Sequence, residues 1–590
     1  MKKEMENRIV KSYLDNYLSN FGIEEKNETT AFEHFSNYCI LSHINPDAYA
    51  SDKFFYQDAH TGEGGDKAID GIMIMVNDIA VTSLEQFNSV IGTSRSFSVK
   101  FVFVQAKTSS SFETHEVLKI GSGVKSFFQK EKLNANPKVL RYKEISDAIF
   151  EKSMRFASRP ECYIYYVTIG TWMDDANVKE AIEDVEKQLR DLNYFSNLKF
   201  FPIDADRIST IYRELNNTIS REIIISKNVA FPADIQGIKE AYLGLVQMKE
   251  YMKLVTDEDG VLQAGLFYEN VRGFLGENPV NNEIRETLER AESIQFPILN
   301  NGITIVTKSL RLSGEKFALT DFQIVNGCQT TNVLYQCRDK VSPNLMIPVK
   351  IISTDDSELI NRVIRSTNRQ TQVLDEAFES LKEFHKKLQQ YYDTYTGPHR
   401  IYYERRTHEY DSEGGIKKSN IVTLPIQLYS VMSMFYGEPH SVHRYYGELL
   451  RANASKVFQD GHQLSLYYAS AWMLHQIEFA MRRNEIKMEW KAYRYHLLYL
   501  IQIYMRTLKR MNKLPWLNSH DMDRLAKAII QVANDQKALG ALLRYLTEIL
   551  TEAINEAPAA WSKDGNALIR IKDFTFDIEA RLLSKMNSNK

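Results

Sequence analysis

Two apolar runs carry residues whose types and spacing suit phosphodiester chemistry. Asp70 opens the run IDGIMIMV, and Gln105 and Lys107 close the run FVFVQAK. Residues two apart on a strand point to one face, so Gln105 and Lys107 are predicted to act side by side. A carboxylate, a second oxygen ligand and a cation form a minimal set for metal-dependent hydrolysis of a phosphodiester. In that set Asp70 anchors Mg²⁺, with Mn²⁺ as an alternative. The side-chain oxygen of Gln105 and the main-chain carbonyl of Ala106 complete the protein ligands. Lys107 orients or deprotonates the attacking water and offsets charge on the five-coordinate phosphorus. Glu33 has two readings. It is a further ligand, direct or through water, or it is a capping-box glutamate behind Thr29 or Thr30. The plain alternative for the whole set is a strand-edge turn at Asp70-Gly71 and a solvated strand end at Lys107.

The surrounding elements decide whether these residues meet. Residues 1 to about 45 read as two helices, the second spanning TTAFEHFSNYCIL. His60 to Gly71, HTGEGGDKAIDG, is a Gly-rich turn feeding a strand. IDGIMIMV and FVFVQAK are continuously apolar, as buried central strands are. Residues 114–155 read as mainly helical. CYIYYVTIG is a third strand, 176–192 a helix and LKFFPIDAD a fourth strand. This order predicts an α/β domain around a central mixed sheet. On those residues the first 210 or so positions resemble the PD-(D/E)xK nuclease superfamily, in the branch with Gln-x-Lys for Glu-x-Lys. The resemblance implies a restriction-endonuclease-like fold and a metal-dependent nuclease. Gln105 departs from the commoner acidic residue and brings no charge.

A second constellation lies further on. AYLGLVQMKEYMKLV, from Ala241, reads as helical. Phe322 to Val325 is an apolar strand, Asn326-Gly327 a turn, and Thr330 to Tyr335 begins a helix. Free N–H groups at such a helix start accept anions. Asn326, Gly327, Gln329 and Thr330 there, Asn300 and Asn301 in LNNGITI, and Arg365 and Asn368 in IRSTNRQTQV are candidates for binding a nucleotide, a base or a phosphate. The alternative is that these amides only satisfy loop backbone. MIPVKII is a buried strand, and Asp356 to Asn368 reads as a helix. The blocks NVRGFLGENPVNNEI, FPILNNGITIV, FQIVNGCQTTNVLY, IRSTNRQTQV and RIYYERR together resemble the AIPR family, the abortive-infection phage-resistance proteins of bacteria. The likeness runs from about residue 230 to beyond 406 and implies anti-phage defence. The VNGCQT loop is also similar to the DGQHR loop of ParB-like proteins, which implies nucleotide or DNA recognition.

From about Gly397 the chain reads as largely helical. Arg400, Arg405 and Arg406, among Tyr402 and Tyr403, are further candidates for nucleic-acid contact. His399 and His408 read as surface or phosphate-contacting residues. Between Arg482 and Lys513 there are nine basic and two acidic residues, with Trp490, Tyr493 and Tyr495 interleaved. That pattern suits a phosphate-tracking face with stacking aromatics. It equally suits a solvated helix face whose aromatics lie in the core.

Bulk properties bound these readings. The 590 residues are enough for two to four domains, and 44% hydrophobic with 25% charged content is ordinary for a globular protein. The net charge of -3 excludes a protein that coats nucleic acid over its whole surface. Cys39, Cys162, Cys328 and Cys337 form no CxxC pair and read as reduced thiols in a cytoplasmic protein. No apolar run is long enough for a membrane span, and no membrane partner is expected. The expected architecture has three parts. Residues 1–212 form the α/β restriction-endonuclease-like domain, 213–396 an α+β AIPR core, and 397–590 a mainly α-helical region. The expected function is a Mg²⁺-dependent endonuclease of phage defence, with DNA favoured over RNA. A nuclease toxic to its host needs restraint, so homo-oligomerisation or a phage-derived or nucleotide trigger is expected to activate it. The alternatives are a non-catalytic nucleic-acid or nucleotide sensor with a decayed nuclease fold, and an RNase.

Overall fold

The computed structural model describes the chain except for residues 1–4, 6, 47, 93–94, 130–132, 217–219, 259, 268–278, 290–292, 357–358, 361, 364–365, 367–382, 398–399, 406–408, 411–414, 445, 559–560, 562–567 and 589–590. The chain divides into two compact units. The first comprises Met1–Leu14, Asn27–Tyr49 and Phe54–Ala377; the second comprises Asp15–Lys26, Ala50–Lys53 and Phe378–Lys590.

Helices α1 (Arg8–Phe21) and α2 (Glu28–Ile44) stand where the apolar periodicity predicts two helices. The cap of α2 differs from expectation. Asn27, not Thr29 or Thr30, takes the N-cap position and accepts a hydrogen bond from the Thr29 amide. A capping box needs its carboxylate at the third helical residue, and Glu33 is the sixth. Glu33 is therefore not a cap, and it is buried. Short helices α3 (Ala48–Ser51) and α4 (Phe55–Ala59) follow.

The first sheet has the order β2-β1-β3-β4-β5. Its strands are β1 (Gly71–Val76), β2 (Ile79–Val81), β3 (Val99–Lys107), β4 (Glu161–Thr168) and β5 (Asn197–Ile203). Strand β1 runs antiparallel to β2 and β3, whereas β3, β4 and β5 are mutually parallel, so the sheet is mixed as the element order predicts. The turn of the β1-β2 hairpin, strand β2 and helix α5 (Leu84–Ile91) occupy the stretch between the two apolar runs. Asn77 and Asp78 both take left-handed backbone, which a two-residue hairpin turn requires. Helices α6 (Thr114–Phe128), α7 (Pro137–Glu151) and α8 (Ala176–Arg190) cover one face, with Ile72, Ile74, Phe101, Phe103 and Ile164 in their shared core. Helices α2 and α9 (Ala205–Asn216) lie on the other.

The second sheet, order β6-β10-β9-β11-β8-β7, belongs to the same unit. It comprises β6 (Ser220–Ile224), β7 (Lys227–Ala230), β8 (Glu240–Gln247), β9 (Ile303–Ser313), β10 (Lys316–Asn326) and β11 (Met346–Ser353). Helices α10 (Met248–Val255), α11 (Pro279–Glu289), α12 (Phe296–Leu299) and α13 (Cys328–Gln336) accompany it. The run AYLGLVQMKEYMKLV is not one helix. Its first half is β8, paired on both sides with β7 and β11, and only its second half is helical. Gly244 explains the change. A Cβ there would come within 2.6 Å of the Ile225 side chain, so the position is built for close strand packing. The predicted helix from Asp356 to Asn368 falls largely outside the described residues.

The second unit is mainly helical. Its long helices are Leu424–Phe435, Leu464–Arg482, Arg494–Leu508, His520–Asn534, Gln536–Asn555 and Lys572–Ser588, packed around one apolar core. A short parallel pair, β12 (Tyr402–Glu404) and β13 (Ile421–Thr423), is attached. Among the described residues no helix is long and apolar enough to cross a membrane. All four cysteines are free and buried.

Candidate active site

Strand register brings the first constellation together. Gly71 pairs with Val104 at the last step of the antiparallel ladder, and Asp70 lies just beyond it. The Asp70 amide donates to the Val104 carbonyl at 2.8 Å, one residue out of the ladder register, so the strand entry is tied to β3 at an irregular step. Gly71 is needed for close approach: a Cβ there would stand 2.0 Å from Asn37 Oδ1. The Asn37 Nδ2 donates to the Asp70 carbonyl at 2.9 Å, so α2 grips the strand entry directly.

The side chains meet at this sheet edge. The Ala106 amide donates to Asp70 Oδ2 at 2.9 Å, and Lys107 Nζ lies 3.9 Å from the same oxygen. In a strand the N–H and C=O of one residue leave on the same side. The Ala106 carbonyl therefore faces the Asp70 side too. Asp70 is 3% exposed and Gln105 is fully buried, while the Lys107 side chain keeps 32% exposure. A cation with access to solvent and buried oxygens beside it suit a site where water and an anionic substrate enter from one side.

Gln105 is oriented by a residue that the sequence reading missed. Its Nε2 donates to Glu116 Oε2 on α6 at 2.6 Å. A carboxylate accepts only, so the amide nitrogen must face Glu116 and the amide oxygen must face away. That oxygen is buried and has no hydrogen-bond partner among the described residues. A buried acceptor left unpaired costs about 1–3 kcal/mol, and a bound cation would satisfy it.

Glu33 and the loop before β1 close the site. Glu33 Oε2 accepts from His60 Nε2 at 2.8 Å. The loop is stitched at its ends, with His60 bridging Gly71 and the Thr61 amide donating to the Asp70 carbonyl at 3.0 Å. Asn136, the N-cap of α7, pins the loop from outside through Nδ2 bonds to the carbonyls of Thr61 and Gly64. Burial pushes the Asp70 carboxyl up to about 7; Lys107 opposes this, and Glu33 adds to it. Among the groups acting on Asp70, Lys107 is the cation that offsets its charge. Among the described residues no group of three or more His, Cys, Asp and Glu side chains is arranged to hold a metal by itself. The fit rests instead on Asp70, the unpaired Gln105 oxygen and the Ala106 carbonyl, with Glu33 alongside, and such an oxygen set suits Mg²⁺ or Mn²⁺.

The second constellation is partly assembled. Gly327 has φ 106° and caps α13, and a Cβ on it would lie 2.8 Å from the Ile303 side chain. The turn is thus pressed against the start of β9, which brings the LNNGITI loop beside it. Asn300 Nδ2 donates to Thr330 Oγ1 at 3.4 Å, and its Oδ1 accepts from the Gly302 amide. Gln329 Oε1 accepts from Asn281 Nδ2 at 2.9 Å. Asn326 ends β10 at a register shift, and Asn301 is exposed. These amides serve each other and the loop backbone. Arg365, Asn368, Arg406, His399 and His408 lie outside the described residues. Arg400 and Arg405 belong to the second unit, where Arg400 pairs with Asp393 at 2.9 Å and covers the Tyr402 ring.

The basic stretch near the C-terminus is not one continuous face. Arg482 and Arg494 are buried and flank Glu478, and Arg494 also pairs with Asp52 at 3.0 Å. Tyr493 and Tyr495 are buried, and Trp490 packs against the helical core. The aromatics are therefore not available for stacking on bases. Arg483, Lys487, Lys509, Arg510 and Lys513 stay exposed.

The profile of the family described as AIPR protein matches residues 267–558. That span covers β9 to β11 of the second sheet and most of the helical unit, and it supports an AIPR protein. Strands β6, β7 and β8 of the same sheet precede the match. No curated protein and no solved structure matches the chain.

Proposed function

We propose that this chain is a metal-dependent endonuclease of abortive-infection phage defence. Its first sheet would be a restriction-endonuclease-like domain with its active site at Asp70, Gln105, Ala106 and Lys107. The observation that carries this reading is the convergence of the Ala106 amide and Lys107 Nζ on Asp70 Oδ2, beside a Gln105 whose buried side-chain oxygen has no hydrogen-bond partner among the described residues. The AIPR match over residues 267–558 supports the defence context.

Asp70, the Gln105 oxygen and the Ala106 carbonyl would hold Mg²⁺ or Mn²⁺, with Glu33 as a direct or water-mediated neighbour. When bound, the ion supplies charge neutralisation at the phosphate and activation of water. Lys107 reaches solvent from beside Asp70, where it orients the attacking water in line and balances charge on phosphorus. The water oxygen bonds to phosphorus as the P–O3′ bond breaks, leaving a 5′-phosphate and a 3′-hydroxyl. Asp70 is held against the Ala106 amide, so its second oxygen is directed without a loss of side-chain freedom at the moment of reaction.

DNA is the proposed substrate. Offering matched duplex DNA and RNA to the full-length protein with Mg²⁺ or Mn²⁺ tests this, and cleavage of DNA that stops on chelation is the expected outcome. Cleavage of RNA alone would assign an RNase. Ion binding without cleavage of either would favour a nucleic-acid or nucleotide sensor.

A further inference from the structure

Three polar heads converge where a glycine stands. An ideal Cβ placed on Gly62 would lie 2.6 Å from Glu33 Oε2, 2.9 Å from His60 Nε2 and 3.1 Å from Asp70 Oδ1. Gly62 is not among the residues with left-handed backbone, so conformation does not demand glycine. What demands it is the close approach of the three heads to its backbone, which leaves no room for a side chain.

His60 is built into that space with little freedom. It is 2% exposed, its backbone bridges Gly71, and its ring lies 4.2 Å from the ring of His34. An ionised Glu33 only accepts hydrogen bonds, so His60 Nε2 carries the proton between them. The bond therefore sets where Glu33 Oε2 points, which is toward Gly62, where Asp70 Oδ1 also lies. Without His60 the glutamate would keep its rotamer freedom and its carboxylate could turn away.

We propose that His60 is a positioning residue for the metal site: it holds Glu33 so that Glu33 and Asp70 both present oxygens beside Gly62, whose missing side chain lets the loop approach them closely. Resting on the metal-dependent reading above, this adds a second wall to the Asp70–Gln105 edge. It also assigns the loop His60–Gly71 a role in ion affinity. Outer-shell partners of ligating carboxylates typically shift metal affinity by about 10- to 100-fold.

The test is a titration of the full chain with Mn²⁺, read by loss of the free-ion electron paramagnetic resonance signal, with a melting curve on each protein. His60→Ala is expected to weaken Mn²⁺ binding by about 10- to 100-fold. His60→Gln, which keeps an N–H near the Nε2 position, should recover most of it. Gly62→Ala should weaken binding at least as much, because its methyl would displace the Glu33 and His60 heads. Asp70→Asn is the control for the site itself. Binding that Asp70→Asn abolishes but His60→Ala and Gly62→Ala leave unchanged would overturn the role of His60 and leave the Asp70 reading standing. A loss that follows the melting temperature in both variants, with no recovery in His60→Gln, would overturn it in favour of a purely structural contact. No Mn²⁺ binding by the wild type would remove this proposal and the metal reading together.

Discussion

At Gln105 an amide stands where a carboxylate would bring more charge to a cation, and Glu116 accounts for it. The Gln105 nitrogen donates to the Glu116 carboxylate at 2.6 Å. A glutamate at 105 would replace that donor with a second acceptor and set two buried like charges in contact. Gln105→Glu is therefore expected to lower stability by about 1–3 kcal/mol, measured by denaturant unfolding. Adding Glu116→Gln restores a donor between the two positions and should recover most of the loss, giving a coupling energy well away from zero. Additive effects would show that Glu116 does not orient Gln105. Lys107 belongs to the same scale. It is partly exposed and forms no structural core, so Lys107→Ala should abolish cleavage while leaving the melting temperature nearly unchanged.

At the scale of elements, helix α2 carries Glu33 and Asn37 to the sheet edge and is anchored at its far end. His43, in its last turn, contacts Asp257 Oδ2 at 2.6 Å, and Arg207 of α9 reaches the same oxygen at 3.3 Å. Burial works to raise the Asp257 carboxyl, but the His43 bond and charge, the Val261 amide and Arg207 outweigh it and hold the group below its ordinary value. A carboxyl depressed in the fold adds stability above its unfolded pKa, and that contribution is lost as pH falls through the folded one. Asp257→Asn should thus cost roughly 3 kcal/mol at pH 7, in the range for a broken buried pair. The gap to wild type should narrow below about pH 4, the unfolded carboxylate range, as followed by melting curves. A gap independent of pH would contradict the assignment.

Much of this scale is legible in the sequence, for identifiable reasons. Strands β1, β3 and β4 are continuously apolar because both of their faces are covered, and their runs are hard to read otherwise. The site residues follow from strand ends and a two-residue spacing. His60, Gly62 and Glu116 do not, because their roles depend on a loop and a helix folding back over the sheet edge. His60 lies in a Gly-rich turn whose composition announces only a turn. The run from Ala241 misleads because its apolar residues fit a helix as well as a strand, and pairing with β7 and β11 decides the matter. Glu33 could not be assigned from spacing alone, since its role turns on Asn27, not Thr29 or Thr30, taking the cap.

At the scale of the whole molecule, the second unit buries charge as well. In the second unit Lys53 donates to the Ser419 carbonyl at 2.7 Å and is buried. Desolvation lowers its pKa to about 8, Glu478 acting against this and Arg482 with it. Between about pH 8 and the unfolded value near 10.5 the unfolded chain binds more protons at this position, so its contribution to stability rises with pH there. Lys53→Met should therefore compare most favourably with wild type at pH 7 and lose that advantage by pH 9.5, as melting curves at the two values would show. An advantage that grows with pH would contradict the burial of a charged Lys53. In the same unit Arg482 and Arg494 of the basic stretch pair with Glu478, and Arg494 also with Asp52, so these two charges are not part of an open basic face. The candidate site stands at the first sheet, while the AIPR match covers β9 to β11 of the second sheet and most of the helical unit. Under the proposed function the first sheet would cut, and the larger remainder would recognise or restrain.

The most direct test of that division is plasmid cleavage by the full-length protein with Mg²⁺, beside Lys107→Ala at matched concentration and matched melting temperature. The account predicts nicked or linear product for wild type, none after chelation, and none for Lys107→Ala. Equal cleavage by the two proteins would contradict it.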